Sequence, residues 1–449
     1  MANVIKLKKG LDINLKGKPQ QIIKDAPKSE FYAVIPDDYH GIVPKVVVKA
    51  GDKVEAGTPL MVDKNRPEVK FVSPVSGEVT AVTRGERRKV LDITVKADEN
   101  QVYKDFGKQS VASLSAQQIK ELLLEAGMFA FIKQRPYDVV ANPEVAPRDI
   151  FVSAFDSAPL APDFNFVVSG QESDFQTGLD ALAKLTEGKV YVGMKAGKEI
   201  PVKGVTPISF DGPHPAGNVG VQIHHIAPVN KGETVWTVSA FDVIVIGRLF
   251  NKGIVDFSRL VAVTGSEIEN PVYVNTVIGA KVETLLQGNL KKSDYHQRII
   301  SGNVLTGTHI DKEGYLRAPH SQITVIPEGD ECHEFFGWAT PGFGKFSVSH
   351  TFFSWLAGRN KEYVMDARLH GGRRAIIMSG EYDKVLPMDI LPEFLIKATL
   401  AFEVDKMENL GIYEIAPEDV ALCEFVDTSK LEVQKIIRDG LDELMKEMM

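Results

Sequence analysis

The sequence predicts a multidomain α/β and α+β protein: a small all-β module, an α/β domain, a mixed β-rich module and a helical end, in that order. Three observations carry this reading. The chain has 449 residues, beyond the size at which a single core keeps growing, so about three or four packed units are expected. Glycine and proline cut residues 42–95 into short Val-rich runs that read as strands. From residue 149 onward, strand-like and helix-like runs alternate, as they do around a parallel sheet.

Composition narrows the function. Hydrophobic residues make up 44% and charged ones 25%, the balance of an ordinary globular chain. A net charge of -8 gives no basic field for nucleic acid, and nothing in the composition favours an anionic membrane surface. The opening "MANVIKLKKG" lacks the apolar core of a signal peptide, and no stretch approaches the ~18 apolar residues of a membrane span, so a cytoplasmic chain is expected. Two cysteines, Cys332 and Cys423, can form neither a disulfide framework nor a four-cysteine metal site.

Residues 1–110 are read as a barrel-sandwich module of the biotinyl/lipoyl type. Its strands are "KVVV", "PLMVD", "VKFVS", "EVTAV" and "LDITV", and Gly85-Glu86 faintly repeats Gly51-Asp52. A carrier domain of this type holds its cofactor on a hairpin-tip lysine, here Lys64. Arg66 and Pro67 lengthen that tip, which favours an unmodified docking block.

Residues 111–256 are read as a Rossmann-like α/β domain. "SAQQIKELLLEAG" has a capping-box start, an apolar face of Ile119, Leu122 and Leu123, and a closing glycine. Strands are expected at "DIFVSAF", "FNFVVSG", "KVYVGM" and "FDVIVIGRLF", with a helix at "SDFQTGLDALAKLTEG". No G-x-G-x-x-G follows any of them. The loop "SAFDSAPLAPD" falls at a strand's carboxyl end, where open α/β sheets bind ligands. Residues 257–330 are read as a β-grasp-like module, 331–378 as an aromatic and glycine-rich connecting segment, and 379–449 as a helical domain. Within that last unit, one helix is expected from Pro392 to the closing Gly411.

Two clusters are candidates for chemistry. "MFAFIKQRPYD" gathers Phe129, Phe131, Arg135 and Tyr137, aromatic faces beside donors. "DGPHPAGNVGVQIHHI" holds His214, Pro215 and Gly217 in a loop that prolines stiffen and glycines let approach a ligand closely. His224 and His225, taken as adjacent on a strand, would face opposite ways and could not share a metal. Core or interdomain packing is the plain alternative for both clusters. No G-x-S-x-G elbow or activated-thiol signature is present, so no catalytic residue is assigned.

The stretches "GDKVEAGTPLM…SPVSGEV", "GMFAFIKQRPYD", "GPHPAGNVGVQIHHI", "GAKVETLL…RIISGNVLTG" and "LPMDILPEFLIKATLA" resemble the A subunits of sodium-translocating NADH:quinone reductases. That family is itself related to the C subunit of the Rnf complex and to the NADH-binding subunit of respiratory complex I. The likeness covers essentially the whole chain and implies a β-grasp module of the SLBB type and a ferredoxin-like helical scaffold. The Rnf relative holds clusters on two C-x2-C-x2-C-x3-C-P motifs. The matching positions here are Ile376, Ser379, Tyr382, Leu386, Pro387 and Pro417, Val420, Cys423, Asp427, Thr428, with only Cys423 retained. A [4Fe-4S] cluster needs about four thiolates, so neither frame fits one.

The resemblance thus implies a peripheral subunit on the cytoplasmic side of the inner membrane, in a complex that passes electrons from NADH to quinone and moves sodium outward. This chain would bind no cofactor and no metal. NADH, flavins and iron-sulfur clusters would belong to partner subunits, some membrane-embedded. Quinone would be the small ligand, with Phe129, Phe131, Arg135, Tyr137, His214, Pro215 and Gly217 as candidate contacts.

Overall fold

A computed structural model describes residues 4–330, 340–358 and 360–448. The Val-rich runs of the first module form two small sheets packed face to face. One is four-stranded, running from Phe31–Val34 through Val90–Ala97 and Gly77–Arg84 to Lys53–Val54. The other joins Pro44–Val46, Pro59–Asp63 and Lys70–Val72. Leu60, Met61, Phe71, Val79, Ile93 and Val95 fill the space between them.

A seven-stranded sheet forms the centre of the molecule. Its order is Val4–Lys6, Thr206–Asp211, Val190–Lys195, Ile150–Ser153, Val235–Ser239, Ile132–Arg135, Val139–Val140, parallel except at the last two. The chain winds outward from Ile150–Ser153 and then returns on its other side, so the strand order reverses there. A fourth, six-stranded sheet covers residues 258–327 and also takes up Ile23–Asp25, parallel to Val272–Val277. Residues 4–25, at the start of the chain, therefore pair with the seven- and six-stranded sheets, not with the two small ones.

Several local expectations hold. Ser115 caps the helix Ala116–Glu125 by accepting from the Gln118 amide, Gln118 reciprocates, and Gly127 follows at φ 72°.

Two expected strands are helices. Residues 164–170 contain Phe164–Val168, started by Asp163, whose carboxylate accepts from the Asn165 amide. Residues 241–250 lie in Ala240–Lys252, closed by Gly253 in the left-handed region. That helix is buried on nearly every side, so its apolar run carries no helical period and reads equally well as a central strand. His224 and His225 also lie on a helix, Val219–Ile226, with ring centroids 5.1 Å apart. They therefore do not face opposite ways.

The helical end differs from expectation in one place. The expected helix from Pro392 to Gly411 breaks into Pro392–Leu400 and Val404–Asn409, because Phe402 turns at φ 49° and the Glu403 amide bonds back to Ala398. The connecting segment is partly outside the described residues, including Cys332 and His333. Where it is described it wraps its neighbours: Phe346 packs on Tyr363 and Phe425, and the Tyr363 amide donates to the Asn14 carbonyl.

Candidate functional site

In an open α/β sheet, the place for a ligand is the crevice beyond the carboxyl ends of the strands where the order reverses. Here that point lies at Ser153, level with Gly193 and Ser239. The loop 154–163 and the His-Pro loop 211–218 converge on it. Gln222, 1% exposed, reaches in from the helix Val219–Ile226 and donates to Ser153 Oγ at 2.9 Å and to the Ala216 carbonyl at 3.3 Å. Ser153 Oγ lies 2.8 Å from the Gly217 carbonyl.

The glycines around this crevice approach protein atoms. A Cβ on Gly193 would stand 2.0 Å from Gln222 Oε1, one on Gly217 2.6 Å from the Ser157 amide, and one on Gly220 2.2 Å from Asp419 Oδ2. The close approaches that a dinucleotide fold reserves for pyrophosphate are thus taken by the chain's own side chains and backbone. These residues do not fit a flavin or a nicotinamide dinucleotide.

His214 is 3% exposed, and burial lowers its pKa to about 4, so the ring is neutral near pH 7. Ser157 Oγ accepts from the Gly217 amide at 2.8 Å and lies 3.0 Å from His214 Nδ1. A hydroxyl has two acceptor lone pairs, so Ser157 either gives its hydrogen to Nδ1 or accepts the ring's own there. The arrangement offers one neutral N–H donor. Pro215, joined to His214 by a cis peptide, is buried with Ala216 and Gly217.

The other candidates are placed differently. Phe129 is fully buried, edge-on to Trp236 at 5.4 Å. Phe131 packs between Tyr39 and Phe257. Arg135, 1% exposed, donates to Asp419 Oδ2 at 3.3 Å and to Glu418 Oε1 at 2.9 Å, with Asp138 3.7 Å from Nε. Burial works against its charge, but Asp138, Asp419 and Glu418 outweigh it and raise its pKa. Burial likewise opposes ionisation of Asp138, yet Lys133, Arg135 and Arg438 hold it well below the usual carboxylate range. Burial pushes Glu418 up to about 7, although two-fifths of its side chain stays open to solvent, which weakens that push.

Tyr137 sits edge-on to Tyr413 at 6.3 Å, and Arg438 donates to the Tyr137 and Asp138 carbonyls. The Arg135–Asp138 turn is therefore the seat of the helical end. Both terminal nitrogens of Arg135 are taken by carboxylates, while its buried Nε has no hydrogen-bond partner among the described residues. The two clusters meet at residues 418–419, where Asn218 Nδ2 donates to the Glu418 carbonyl, and at 413–414, where Tyr413 packs on Tyr137 and Glu414 pairs with His224. Sequence reading missed Ser157, Gln222 and Asp419 as contributors; only the placement of the first two in the quoted loops pointed toward them.

Lys64 is exposed at the turn after Pro59–Asp63, but the turn is fixed. Asp63 accepts from Val43, Asn65 and Arg66, and Arg66 donates to the Val140 and Ala141 carbonyls of the next domain. Two open polar grooves of about 400 and 500 Å3 lie elsewhere, along 283–290 and between 35–37, 91–92 and 309–317; neither includes a candidate residue. Among the described residues, no group of three or more His, Cys, Asp or Glu could hold a metal ion. No described helix is long and apolar enough to cross a membrane.

Family models match three parts of the chain: the NqrA N-terminal barrel-sandwich hybrid domain over 5–98, the NqrA second alpha/beta domain over 114–255, and the NQRA C-terminal domain, of SLBB type, over 260–312. The A subunit of the Na(+)-translocating NADH-quinone reductase of Yersinia pestis bv. Antiqua (strain Angola) is 38% identical over 99% of this chain and 100% of its own. This chain belongs to that family. The protein of the same name from Neisseria meningitidis serogroup A is 37% identical, again over 99% of this chain and 100% of its own. An NAD+-reducing [NiFe]-hydrogenase in the H2-reduced state aligns with a TM-score of 0.37 at 10% identity, over 75% of this chain and 64% of that one.

Proposed function

We propose that this chain is the A subunit of a sodium-translocating NADH:quinone reductase and that it contributes a quinone contact without carrying a redox centre. The observation that carries the second half is the filled crevice. Gly193, Gly217 and Gly220 abut Gln222, Ser157 and Asp419, which leaves no cradle for a flavin or dinucleotide phosphate. In the helical end, the thiolate positions are occupied mainly by apolar or oxygen side chains, and burial pushes the remaining thiol, Cys423, up and keeps it protonated. This supports a ferredoxin-like scaffold without clusters. NADH, flavins and clusters then belong to partner subunits, some of them membrane-embedded, with this chain on the cytoplasmic side. The boundaries 1–110, 111–256, 257–330, 331–378 and 379–449 remain the proposed division, with residues 4–25 shared among sheets.

For quinone, a site needs an apolar wall and one or two donors to its carbonyls. His214 is the favoured donor, because its ring is buried and neutral near pH 7 and so keeps one N–H, while Leu160, Phe210 and Ala216 belong to one apolar cluster. Arg135 and Tyr137 are disfavoured, since the helical end already occupies them. The chain's part in the reaction is to hold and polarise a quinone carbonyl by a neutral N–H donor, with no electron resident on it. Titration of the purified full chain with a short-chain ubiquinone tests this: His214→Gln is expected to weaken binding about tenfold, the effect of one good hydrogen bond. Unchanged affinity sinks the His214 assignment.

A second reading, a scaffold for assembly alone, is favoured by the use of Arg135–Asp138 as a seat for the helical end. It predicts that the isolated chain binds no quinone and that its deletion dissolves the complex.

A further inference from the structure

Residues 4–25 run along the outer edges of two sheets: Val4–Lys6 borders the seven-stranded one and Ile23–Asp25 the six-stranded one. The second edge is left unfinished. Ile23, Lys24 and Asp25 pair in parallel with Tyr273, Val274 and Asn275, and the Ile22 carbonyl accepts from the Tyr273 amide. In such a ladder alternate residues turn both backbone groups to one neighbour, so Lys24 serves the strand Val272–Val277. Ile23 and Asp25 then point their amides and carbonyls outward, and among the described residues nothing bonds to these groups. Ile22 and Ile23 are 53% and 52% exposed, so the rest of the chain does not seal the apolar side chains of this edge either.

Charge decides what the edge accepts. Through residue 28 the sequence has seven lysines against two aspartates, in a chain whose net charge is -8. Lys18, Lys24 and Lys28, on and beside the edge, are exposed. Two neighbouring carboxylates are held by other cations: Glu30 by Lys96, and Asp163 by Lys198, with Gln21 donating to the same Asp163 oxygen. Asp25 on the strand and Glu269, two positions before the Pro271 carbonyl that the Gln20 amide bonds, are the other nearby acids. A second copy of this edge would set these lysines against themselves, and like charges across a pair of strands are destabilising. Edge lysines thus reject a like strand and admit an acidic one.

We propose that an extended, acidic segment of a partner subunit adds to the six-stranded sheet as a further strand along residues 21–25. Its backbone takes up the outward groups of Ile23 and Asp25, its apolar side chains cover Ile22 and Ile23, and its carboxylates meet Lys18, Lys24 and Lys28. This rests on the subunit role proposed above and says how another subunit engages the chain; it does not depend on quinone binding.

Amide hydrogen exchange at single-residue resolution, on the full chain alone and within the purified complex, tests it. The Ile23 and Asp25 amides are expected to exchange freely in the isolated chain and to slow about tenfold or more in the complex, while Lys24, already bonded within the sheet, changes little. The triple variant Lys18→Glu, Lys24→Glu, Lys28→Glu should lose that slowing without a change in thermal unfolding, since the three side chains are exposed. Ile23→Pro, which removes an outward amide and no bond of the sheet itself, should restore free exchange at Asp25 in the complex. A chain that joins the complex while Ile23 and Asp25 exchange as fast as in isolation overturns this inference and leaves the subunit reading standing; a chain that joins no complex overturns both. Slow exchange at both amides in the isolated chain, with a dimer in solution, would make the occupant a second copy and equally overturn it.

Discussion

The Arg135 guanidinium and the Asp419 carboxylate meet at 3.3 Å although 284 positions separate them in the chain, and both side chains are sealed from solvent. This pair joins the central sheet to the helical end. With Glu418 and Asp138 it forms a group of three carboxylates around one cation.

Removing the cation leaves Asp419 uncompensated in a dry site, although Asp138 keeps Lys133 and Glu418 stays partly open to solvent. Arg135→Ala is therefore expected to cost about 3–5 kcal/mol of stability, with the helical end loosening first. Denaturant unfolding, together with proteolysis within 379–448, reads this. Glu418→Gln should cost far less, because that side chain is two-fifths exposed and exposed pairs contribute little.

At the crevice, Gly193→Ala places a methyl group 2.0 Å from Gln222 Oε1, and overpacking of this kind costs about 1–3 kcal/mol. If Gln222 is what fills the crevice, Gln222→Ala should suppress most of that cost. A double-mutant cycle by thermal unfolding measures the coupling; additive effects would contradict the geometry.

The buried His214 and the half-buried His320 give the stability a pH dependence. Burial lowers His214 to about 4 and His320 to about 3, so the unfolded chain takes up protons before the folded one does. As pH falls from about 6.5, each removes stability at about 1.4 kcal/mol per pH unit until its folded value is reached. The slope should be present between about pH 6.5 and 4 and absent above it. His214→Gln and His320→Gln should each flatten the curve of unfolding midpoint against pH in that window.

At the hairpin tip, Asp63→Ala leaves the Val43 and Asn65 amides and Arg66 without their acceptor and should cost about 1–3 kcal/mol. Lys64→Ala should lie within about 0.5 kcal/mol of wild type, and the intact mass of the purified chain should equal that of its sequence. An added mass on Lys64 would restore the carrier reading.

How much of this was legible in the sequence depended on whether the signal was local. The Ser115 cap, the strand Pro59–Asp63 and the turn glycines are set by neighbours within a few residues, and each could be read directly. The helix Ala240–Lys252 could not, because burial on nearly all sides erases the polar face that marks a helical period. Nor could the pairing of Val4–Lys6 with Thr206–Asp211, which depends on contacts some two hundred residues apart. The candidate site was half legible: the His-Pro loop and the loop 154–163 were identified, and they do converge. The "RPYD" stretch drew attention for its donors, yet those donors face carboxylates from residues 418–419, whose positions no local pattern announces.

The functional reading depends on the crevice at Ser153, where Gln222, Ser157 and Asp419 abut Gly193, Gly217 and Gly220. The most direct measurement is the visible spectrum of the purified full chain, with acid-released flavin and iron quantified per polypeptide. A colourless protein with neither in stoichiometric amount is the predicted result. One FMN, or four irons, per chain would contradict it.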